Sequence, residues 1–258
     1  MSEKLTVSLV QTSIYWENPP LNRELLLEKI NALSIATDLI VLPEMFTTGF
    51  TMHPEKIVLS EGEKTVAWMQ KIASTKNVAI TGSLPFYENG TYYNRLFFVA
   101  PNAEIVFYDK RHTFTLAGES VAYRAGSTKT IIHYKGFAIC PLICYDLRFP
   151  VWARNTENYD VLLYVANWPK PRINAWDILL QARAIENMAY CIGVNRIGTD
   201  DLGHEYPGHS AVYDVLGNEL VFSKKEEIKT ITLYKEHIET TRNKLKFLVD
   251  KDNFNLTV

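Results

Sequence analysis

The number of short strand-like segments constrains this chain more than any other feature. Ten runs of β-branched, aromatic and aliphatic residues predict β-strands, at 5–11, 39–43, 78–84, 94–100, 105–109, 137–143, 161–166, 190–195, 210–213 and 228–233. Three segments with apolar residues three and four positions apart predict helices, at 22–33, 63–74 and 174–188. Ten strands are too many for one twisted sheet in 258 residues. The sequence therefore predicts an α/β fold with two sheets packed face to face and helices outside.

Turn signals and one helix start refine this fold. The tripeptides ENG at 88–90 and LGN at 216–218 are typical of hairpins, so antiparallel pairs are expected beside the helical layers. Asn174 is expected to cap the third helix through its side chain. Because no low-complexity stretch or Pro/Gly/Ser linker interrupts the chain, residues 1–258 are predicted to form a single domain.

Charge and hydropathy argue against two classes of partner. Lys and Arg number 27 and Asp and Glu 29, and the resulting net charge of −2 leaves no excess of either sign to bind nucleic acid or an anionic membrane. The longest apolar stretches, 137–145 and 160–168, fall far short of the roughly 18 to 20 residues that a membrane-spanning helix needs. The N-terminal MSEKLTVSLV lacks a basic segment followed by a long apolar one, so we expect a mature cytoplasmic protein.

The cysteines are too few and too irregularly spaced for a disulfide framework. Cys144 directly follows the predicted strand 137–143 and precedes a polar turn, an arrangement that would raise its thiol above the sheet edge as a nucleophile. Such a thiol needs a base or a positive neighbour, because free cysteine is mostly protonated at neutral pH. The alternative, a small buried hydrophobic residue, describes most free cysteines and is our interpretation of Cys140 and Cys191. Without paired CxxC or HxxxH motifs, no metal site is predicted.

Two charged residues follow other predicted strands. Glu44 ends the run DLIVLP and precedes MFTTGF, so its carboxylate enters an apolar neighbourhood suited to a general base. Lys110 follows the predicted strand 105–109. Each has a simpler interpretation, a solvated carboxylate for Glu44 and an exposed loop cation for Lys110. His112 is interpreted as a surface or hydrogen-bonding residue and not as a base.

Three segments together resemble the signature of the carbon–nitrogen hydrolases, the nitrilase superfamily: LPEMF at 42–46, YDKRH at 108–112 and CYDLRFP at 144–150. Further segments extend the resemblance over nearly the whole chain: VQ at 10–11, NWP at 167–169, RAIEN at 183–187 and GHS at 208–210. Ordered motifs at this spread are rarely accidental. The family's Glu-Lys-Cys triad then falls on Glu44, Lys110 and Cys144, and its second glutamate falls on Glu119.

This resemblance implies a four-layer α-β-β-α sandwich that forms homodimers or larger homo-oligomers, and neither a metal nor an organic cofactor. Within the superfamily, VANWPKPR at 165–172 and GHS at 208–210 look most like the bacterial omega-amidase branch. Enzymes of that branch hydrolyse the terminal amide of 2-oxoglutaramate or 2-oxosuccinamate to the 2-oxo dicarboxylate and ammonia. A small-molecule amide is therefore the expected substrate.

The residue types suit amide cleavage, which needs a strong nucleophile, an oxyanion clamp and a proton for the leaving nitrogen. We expect Glu44 to take the proton of Cys144 and later to activate the water that hydrolyses the thioester. The oxyanion is assigned to the Lys110 ammonium and the backbone N–H of Tyr145. Glu119 is expected to orient Lys110 or that water.

Substrate recognition is assigned to residues in or near the same segments. The carboxylate of a 2-oxo acid requires a guanidinium or backbone donors, for which Arg172 is the first candidate and Arg148 the second. Trp168 and Phe46 are expected to form apolar walls, and the alternative for both is a core aromatic. Beside the nucleophile, Asp146 and Arg148 are expected to form an ion pair.

Three other interpretations stay open at this point. A nitrilase, N-carbamyl amidase or aliphatic amidase would share the triad but have a different acyl pocket. A non-catalytic binding scaffold would have no physical reason to keep a cysteine and two carboxylates together. A Cys-His hydrolase would use His112 or His209 in place of Glu44. The polar C-terminal stretch 234–258 is expected to pack on a partner subunit.

Overall fold

The computed structural model describes residues 3–256, so residues 1–2 and 257–258 at the ends of the predicted domain lie outside it. The strands are β1 Lys4–Gln11, β2 Leu39–Val41, β3 Ala79–Glu88, β4 Thr91–Val99, β5 Ile105–Asp109, β6 Ile132–Tyr134, β7 Phe137–Ile143, β8 Val161–Ala166, β9 Tyr190–Asn195, β10 Ile197–Thr199, β11 Glu205–Pro207, β12 Ser210–Tyr213, β13 Glu219–Ser223 and β14 Glu227–Tyr234. The α-helices are α1 Pro19–Asn31, α2 Glu61–Lys76, α3 Glu119–Ala122, α4 Pro150–Ala153, α5 Ile173–Asn187 and α6 Lys235–Leu245. Short 3-10 helices occupy Pro54–Lys56, Thr115–Ala117, Cys144–Arg148, Lys170–Arg172 and Phe247–Asp250.

Alternating side chains divide the core into layers. Leu5, Val7 and Leu9 of β1 belong to a buried apolar cluster that joins the two sheets. On the opposite face of the first sheet, Ile40 and Leu42 pack with buried residues of α1 and α2. The outer face of the second sheet is covered by α5, so the four-layer α-β-β-α sandwich is confirmed.

Strand direction determines where functional side chains can meet. Within residues 3–256, two six-stranded sheets have the orders β14-β1-β2-β3-β4-β5 and β13-β12-β9-β8-β7-β6. The strands β1, β2 and β3 are parallel, as are β7, β8 and β9. Because β3 and β5 both pair antiparallel with β4, they run in the same direction. The carboxyl ends of β2, β5, β7 and β8 are therefore available to form one crevice, the usual ligand site of open α/β sheets.

The ten predicted strands each coincide with an observed strand, and five have the predicted bounds. The short strands β6, β10 and β11, and the edge strand β13, were not predicted. The prediction that Asn174 caps the third helix is wrong. The helix α5 begins at Ile173, directly after the 3-10 helix Lys170–Arg172, and Arg172 occupies the N-cap position without a side-chain hydrogen bond. Asn174 therefore lies inside the first turn.

The C-terminal stretch contacts its own chain over part of its length. Ile238 of α6 is fully buried. Arg242 of the same helix donates hydrogen bonds to the backbone carbonyls of Tyr159 at 2.6 Å and Met188 at 2.8 Å. Packing of the remaining residues on a partner subunit stays a prediction. None of the helices in residues 3–256 is long and apolar enough to cross a membrane.

Candidate active site

Of the four side chains that the sequence predicts for catalysis, three follow strands of the two sheets and the fourth begins a helix. Glu44 follows β2, Lys110 follows β5, Cys144 follows β7 and Glu119 begins α3. The backbone of Cys144 has a φ of 44°, in the left-handed region that a non-glycine residue adopts at an energetic cost. This turn begins the 3-10 helix Cys144–Arg148 and places the cysteine at the wall of a cavity.

Lys110 lies between two buried carboxylates. Its Nζ donates to Oε1 of Glu44 at 2.8 Å and to Oε1 and Oε2 of Glu119 at 3.0 and 2.8 Å. The side chains of both glutamates are 0% exposed and that of Lys110 is 1% exposed. Because a buried charge is costly unless it is paired and hydrogen-bonded, each of the three ions depends on the others for its position.

Two asparagines complete this network, and sequence reasoning did not assign either to the site. Asn94 of β4 donates through Nδ2 to Oε1 of Glu44 at 2.8 Å and to Oε1 of Glu119 at 2.9 Å. Asn167, directly after β8, donates its backbone N–H to Oε2 of Glu44 at 2.8 Å and its Nδ2 to the Glu44 backbone carbonyl at 2.7 Å. The sequence feature that could have indicated Asn167 as a site residue is its position at the end of a parallel strand, within the NWP segment.

Burial and neighbouring charges determine which groups hold protons. Burial and the Glu44 carboxylate raise the pKa of the Cys144 thiol well above its ordinary value, and the Lys110 ammonium opposes this only in part. Burial alone would lower the pKa of Lys110, but Glu119 and Glu44 outweigh it and raise that pKa, so Lys110 stays an ammonium. Burial also raises the pKa of Glu119, against the effect of Lys110. Cys144 therefore rests as a thiol and needs a base to become a nucleophile.

A cavity of about 300 Å³ has Cys144 and Lys110 in its wall. Most of its surface is apolar and aromatic, as is usual for small-molecule sites. Of the residues predicted to bind substrate, Tyr145, Trp168 and Arg172 line this cavity. The structure adds apolar and aromatic walls that were not predicted: Phe50, Met52, Phe114, Leu116, Leu202 and Tyr206.

Phe46 does not reach the cavity, and the structure corrects the prediction that it forms a pocket wall. Its side chain is 0% exposed and packs in the cluster between the first sheet and helices α1 and α2. The centroid of its ring lies 6.1 Å from that of Trp68. Met45 has a φ of 44°, so the chain bends between Glu44 and Phe46 and the two side chains enter different layers. The alternative of a core aromatic is the correct one.

The predicted ion pair between Asp146 and Arg148 does not form. Asp146 is fully buried, accepts a hydrogen bond from the Tyr108 hydroxyl at 2.8 Å and lies 2.7 Å from Nδ1 of His112. These partners already occupy its carboxylate oxygens. The Arg148 guanidinium instead lies over the ring of Trp168, 5.0 Å from the centroid, and lines the cavity.

A second arginine gives the cavity a positive wall. The Arg172 guanidinium lies 5.1 Å from the ring centroid of Phe114, and the Arg172 backbone carbonyl accepts a hydrogen bond from Nε1 of Trp168 at 2.7 Å. In the described part of the chain, neither Arg148 nor Arg172 has a carboxylate oxygen within 4.0 Å. Both guanidinium groups can therefore bind an anionic group of a ligand.

The sequence matches the protein-family model described as Carbon-nitrogen hydrolase over residues 6–242. The chain belongs to the carbon-nitrogen hydrolase family. Omega-amidase YafV of Yersinia enterocolitica is 39% identical to this hydrolase over 257 residues, which cover 95% of this chain and 98% of that protein. The 2-oxoglutaramate amidase of Bacillus subtilis is 34% identical over 229 residues, covering 87% and 88% of the two chains.

A solved structure gives the same assignment. XC1258 from Xanthomonas campestris, a CN-hydrolase superfamily protein, superposes on this hydrolase with a TM-score of 0.95 and 38% identity, covering 98% of this chain and 99% of that one. The predicted membership of the nitrilase superfamily and its omega-amidase branch is therefore confirmed. This carbon-nitrogen hydrolase is an amide-cleaving enzyme.

Proposed function

We propose that this carbon-nitrogen hydrolase cleaves a terminal amide through a thioester on Cys144. Glu44 accepts the thiol proton, sulfur bonds to the amide carbon and the carbonyl π pair moves to oxygen. When the C–N bond breaks, protonated Glu44 gives its proton to the nitrogen and ammonia leaves. The observation that carries this proposal is the buried network of Glu44, Lys110 and Glu119 at a cavity that also contains Cys144.

Lys110 and the backbone N–H of Tyr145 hold the oxyanion in this mechanism. The ammonium has three donors. One donates to Glu44 and another is shared between the two oxygens of Glu119, which leaves a third for the substrate. The N–H of Tyr145 lies in the first turn of a 3-10 helix, where N–H groups lack an acceptor within the helix. Donors fixed before the reaction lower the barrier without reorganisation.

The thioester is hydrolysed with the same base. Water takes the position that ammonia left and gives a proton to Glu44 while its oxygen adds to the thioester carbon. The C–S bond then breaks, and Glu44 returns the proton to the sulfur of Cys144. Glu119 acts as a positioning residue, because it contacts Lys110 and receives the N–H of Phe114 at 2.6 Å.

We further propose that the amide is a 2-oxo dicarboxylate monoamide such as 2-oxoglutaramate or 2-oxosuccinamate. Arg172, with Arg148 as a second donor, binds the carboxylate at the far end of the acyl chain, and Trp168 limits the pocket to a short linear substrate. The support for this assignment is the pair of cavity-lining guanidinium groups and the similarity to proteins named omega-amidase and 2-oxoglutaramate amidase.

Ammonia release tests this function directly. The purified protein is assayed with 2-oxoglutaramate beside glutamine, a nitrile and an N-carbamyl amino acid, and Cys144→Ala serves as the blank. We expect 2-oxoglutaramate to react fastest and the Cys144→Ala protein to release no ammonia above background.

Other results would support other functions. A faster reaction with another substrate would keep the thiol mechanism and reject the carboxylate assignment of Arg172. Activity that survives Glu44→Gln but is lost in His112→Ala or His209→Ala would indicate a Cys-His hydrolase, although neither histidine is among the cavity residues of the described chain. No reaction with any substrate would favour the binding scaffold.

A further inference from the structure

One buried acceptor at the cavity has no partner in the described chain. Asn167 lines the cavity and is only 4% exposed, yet its Oδ1 receives no hydrogen bond. A buried carbonyl oxygen without a donor is energetically unfavourable. Such an atom at the wall of an active site is therefore a candidate acceptor for a ligand donor.

The orientation of this amide follows from its other contacts. Nδ2 of Asn167 lies 2.7 Å from the backbone carbonyl of Glu44 and 3.4 Å from Oε2 of the same residue. Both of those atoms are acceptors, so exchanging the two ends of the amide would bring Oδ1 against two oxygens. The backbone N–H of Asn167, which donates to Glu44 Oε2 at 2.8 Å, holds the residue beside the carboxylate. Oδ1 is therefore the atom of this amide that is left without a donor in the described chain.

We propose that Oδ1 of Asn167 accepts a hydrogen bond from an N–H of the scissile amide and so selects amides over esters. The inference rests on the proposed thioester mechanism. The leaving nitrogen carries two N–H donors and, after sulfur attack, a lone pair that must receive the proton of Glu44. An acceptor held next to Glu44 orients that nitrogen by taking one N–H, which directs the lone pair toward the carboxyl proton. Asn167 is in this role a residue that contacts the substrate.

An ester with the same acyl chain has no N–H and is the matched probe. The test compares kcat/KM for 2-oxoglutaramate with kcat/KM for the corresponding methyl ester in the wild type, Asn167→Ala and Asn167→Ser. Because both substrates form the same thioester, kcat/KM isolates the steps through loss of ammonia or methanol. We expect both variants to lose about 10- to 100-fold in the amide-to-ester ratio, the usual effect of leaving one buried polar group unpaired.

Asn94→Ala is the control for effects that arise because the Glu44 carboxylate is displaced. Asn94 also donates to Glu44, through the other carboxylate oxygen at 2.8 Å, but does not line the cavity. An amide depends more than an ester on the proton of Glu44, so a displaced Glu44 would lower the ratio in both the Asn94 and Asn167 variants. The proposal requires a clearly larger fall in the Asn167 variants.

An unchanged ratio, or an equal fall in Asn94→Ala, would overturn the role of Asn167. If 2-oxoglutaramate is not the substrate, the ratio is measured on whichever amide of the panel reacts and on its methyl ester, so failure of the substrate proposal is distinguished from failure of this one. If no amide of the panel reacts, alkylation of Cys144 by acrylamide and by methyl acrylate is followed by intact mass. The ratio of the acrylamide rate to the methyl acrylate rate should fall about 10-fold in Asn167→Ala. An equal change for both reagents would overturn the inference.

Discussion

Glu44 receives hydrogen bonds on both carboxylate oxygens and on its backbone carbonyl, from Asn94, Lys110 and Asn167. In the proposed mechanism, a base held by three residues needs no reorganisation when it takes the thiol proton. The motif alignment of the sequence predicted Glu44 and Lys110, because their types and order match a family pattern. It did not predict Asn94, which lies inside a strand run with no local feature that distinguishes it from a core polar residue.

Arg172 and Lys170 provide a matched pair for testing carboxylate recognition. We expect Arg172→Ala to raise KM for 2-oxoglutaramate by roughly 10- to 100-fold with little change in kcat, since the lost charge-assisted hydrogen bond acts on substrate and transition state alike. Lys170→Ala should leave KM nearly unchanged. Lys170 lies two residues away, pairs with Glu205 at 2.9 Å and does not line the cavity. Steady-state kinetics measures both, and an unchanged KM in Arg172→Ala would remove that residue from the pocket.

The two aromatic residues that the sequence predicts as pocket walls, Trp168 and Phe46, have different positions in the structure. Trp168 follows β8 at the carboxyl edge and lines the cavity, whereas Phe46 turns into the layer under α1 and α2. Both occur in apolar runs next to site residues. The deciding feature is the left-handed backbone at Met45, which hydrophobic periodicity does not encode.

Among the elements, predictions succeeded where the sequence has a long apolar run. The central strands β7, β8 and β9 are buried on both faces and have the predicted bounds. Within residues 3–256, the short strands β10 and β11 pair only with each other, and β6 and β13 lie at the edges of the second sheet. A three-residue strand shows too little alternation to be recognised, so its pairing is determined by tertiary contacts.

The helix α1 offers two adjacent leucines in opposite environments. Leu26 is 1% exposed and packs in the cluster that supports Leu42 and Phe46, whereas Leu27 is 39% exposed. Leu26→Ala should lower the free energy of unfolding by about 2 to 5 kcal/mol, because it removes buried surface and leaves a cavity. Leu27→Ala should cost far less, within about 1 kcal/mol. Urea denaturation measures both, and similar losses would contradict the assigned helix face.

For the molecule as a whole, the site depends on strand ends from two sheets meeting in one crevice. Glu44 comes from the first sheet and Asn167 from the second, and they meet across the sandwich at 2.8 Å. Periodicity predicted two sheets but not their relative direction, so the joint site could be predicted only through the family resemblance. The single domain over 1–258 and the homodimer remain predictions, and light scattering against a chain mass of 29.6 kDa measures the second.

Glu226 contributes to the stability of the fold at acid pH. Its carboxylate, in the segment before β14, accepts hydrogen bonds from the loop after β1. Burial opposes ionisation, but hydrogen bonds from Thr12 and Ser13 and the ammonium of Lys29 outweigh it and lower the pKa of Glu226 to about 2. An unfolded glutamate titrates near 4.3. The stabilising effect is therefore complete above about pH 4.3 and is lost as the pH falls toward about 2.

Glu226→Gln should therefore show a smaller loss of stability than the wild type as the pH falls from about 5 to about 2. The urea midpoint at several pH values in this window measures the difference. Glu24→Gln, a change at an exposed position of α1, is the control and should follow the wild type. Parallel curves for Glu226→Gln and the wild type would show that Glu226 ionisation does not contribute.

The raised pKa of Cys144 also affects how the enzyme withstands oxidants. Peroxide reacts with thiolates and hardly with thiols, so a cysteine that keeps its proton between turnovers is protected from conversion to sulfenic acid. Cys140 and Cys191 are buried as well, and burial raises their pKa values. The burial that keeps the Cys144 thiol protonated is therefore expected to slow its oxidation as well.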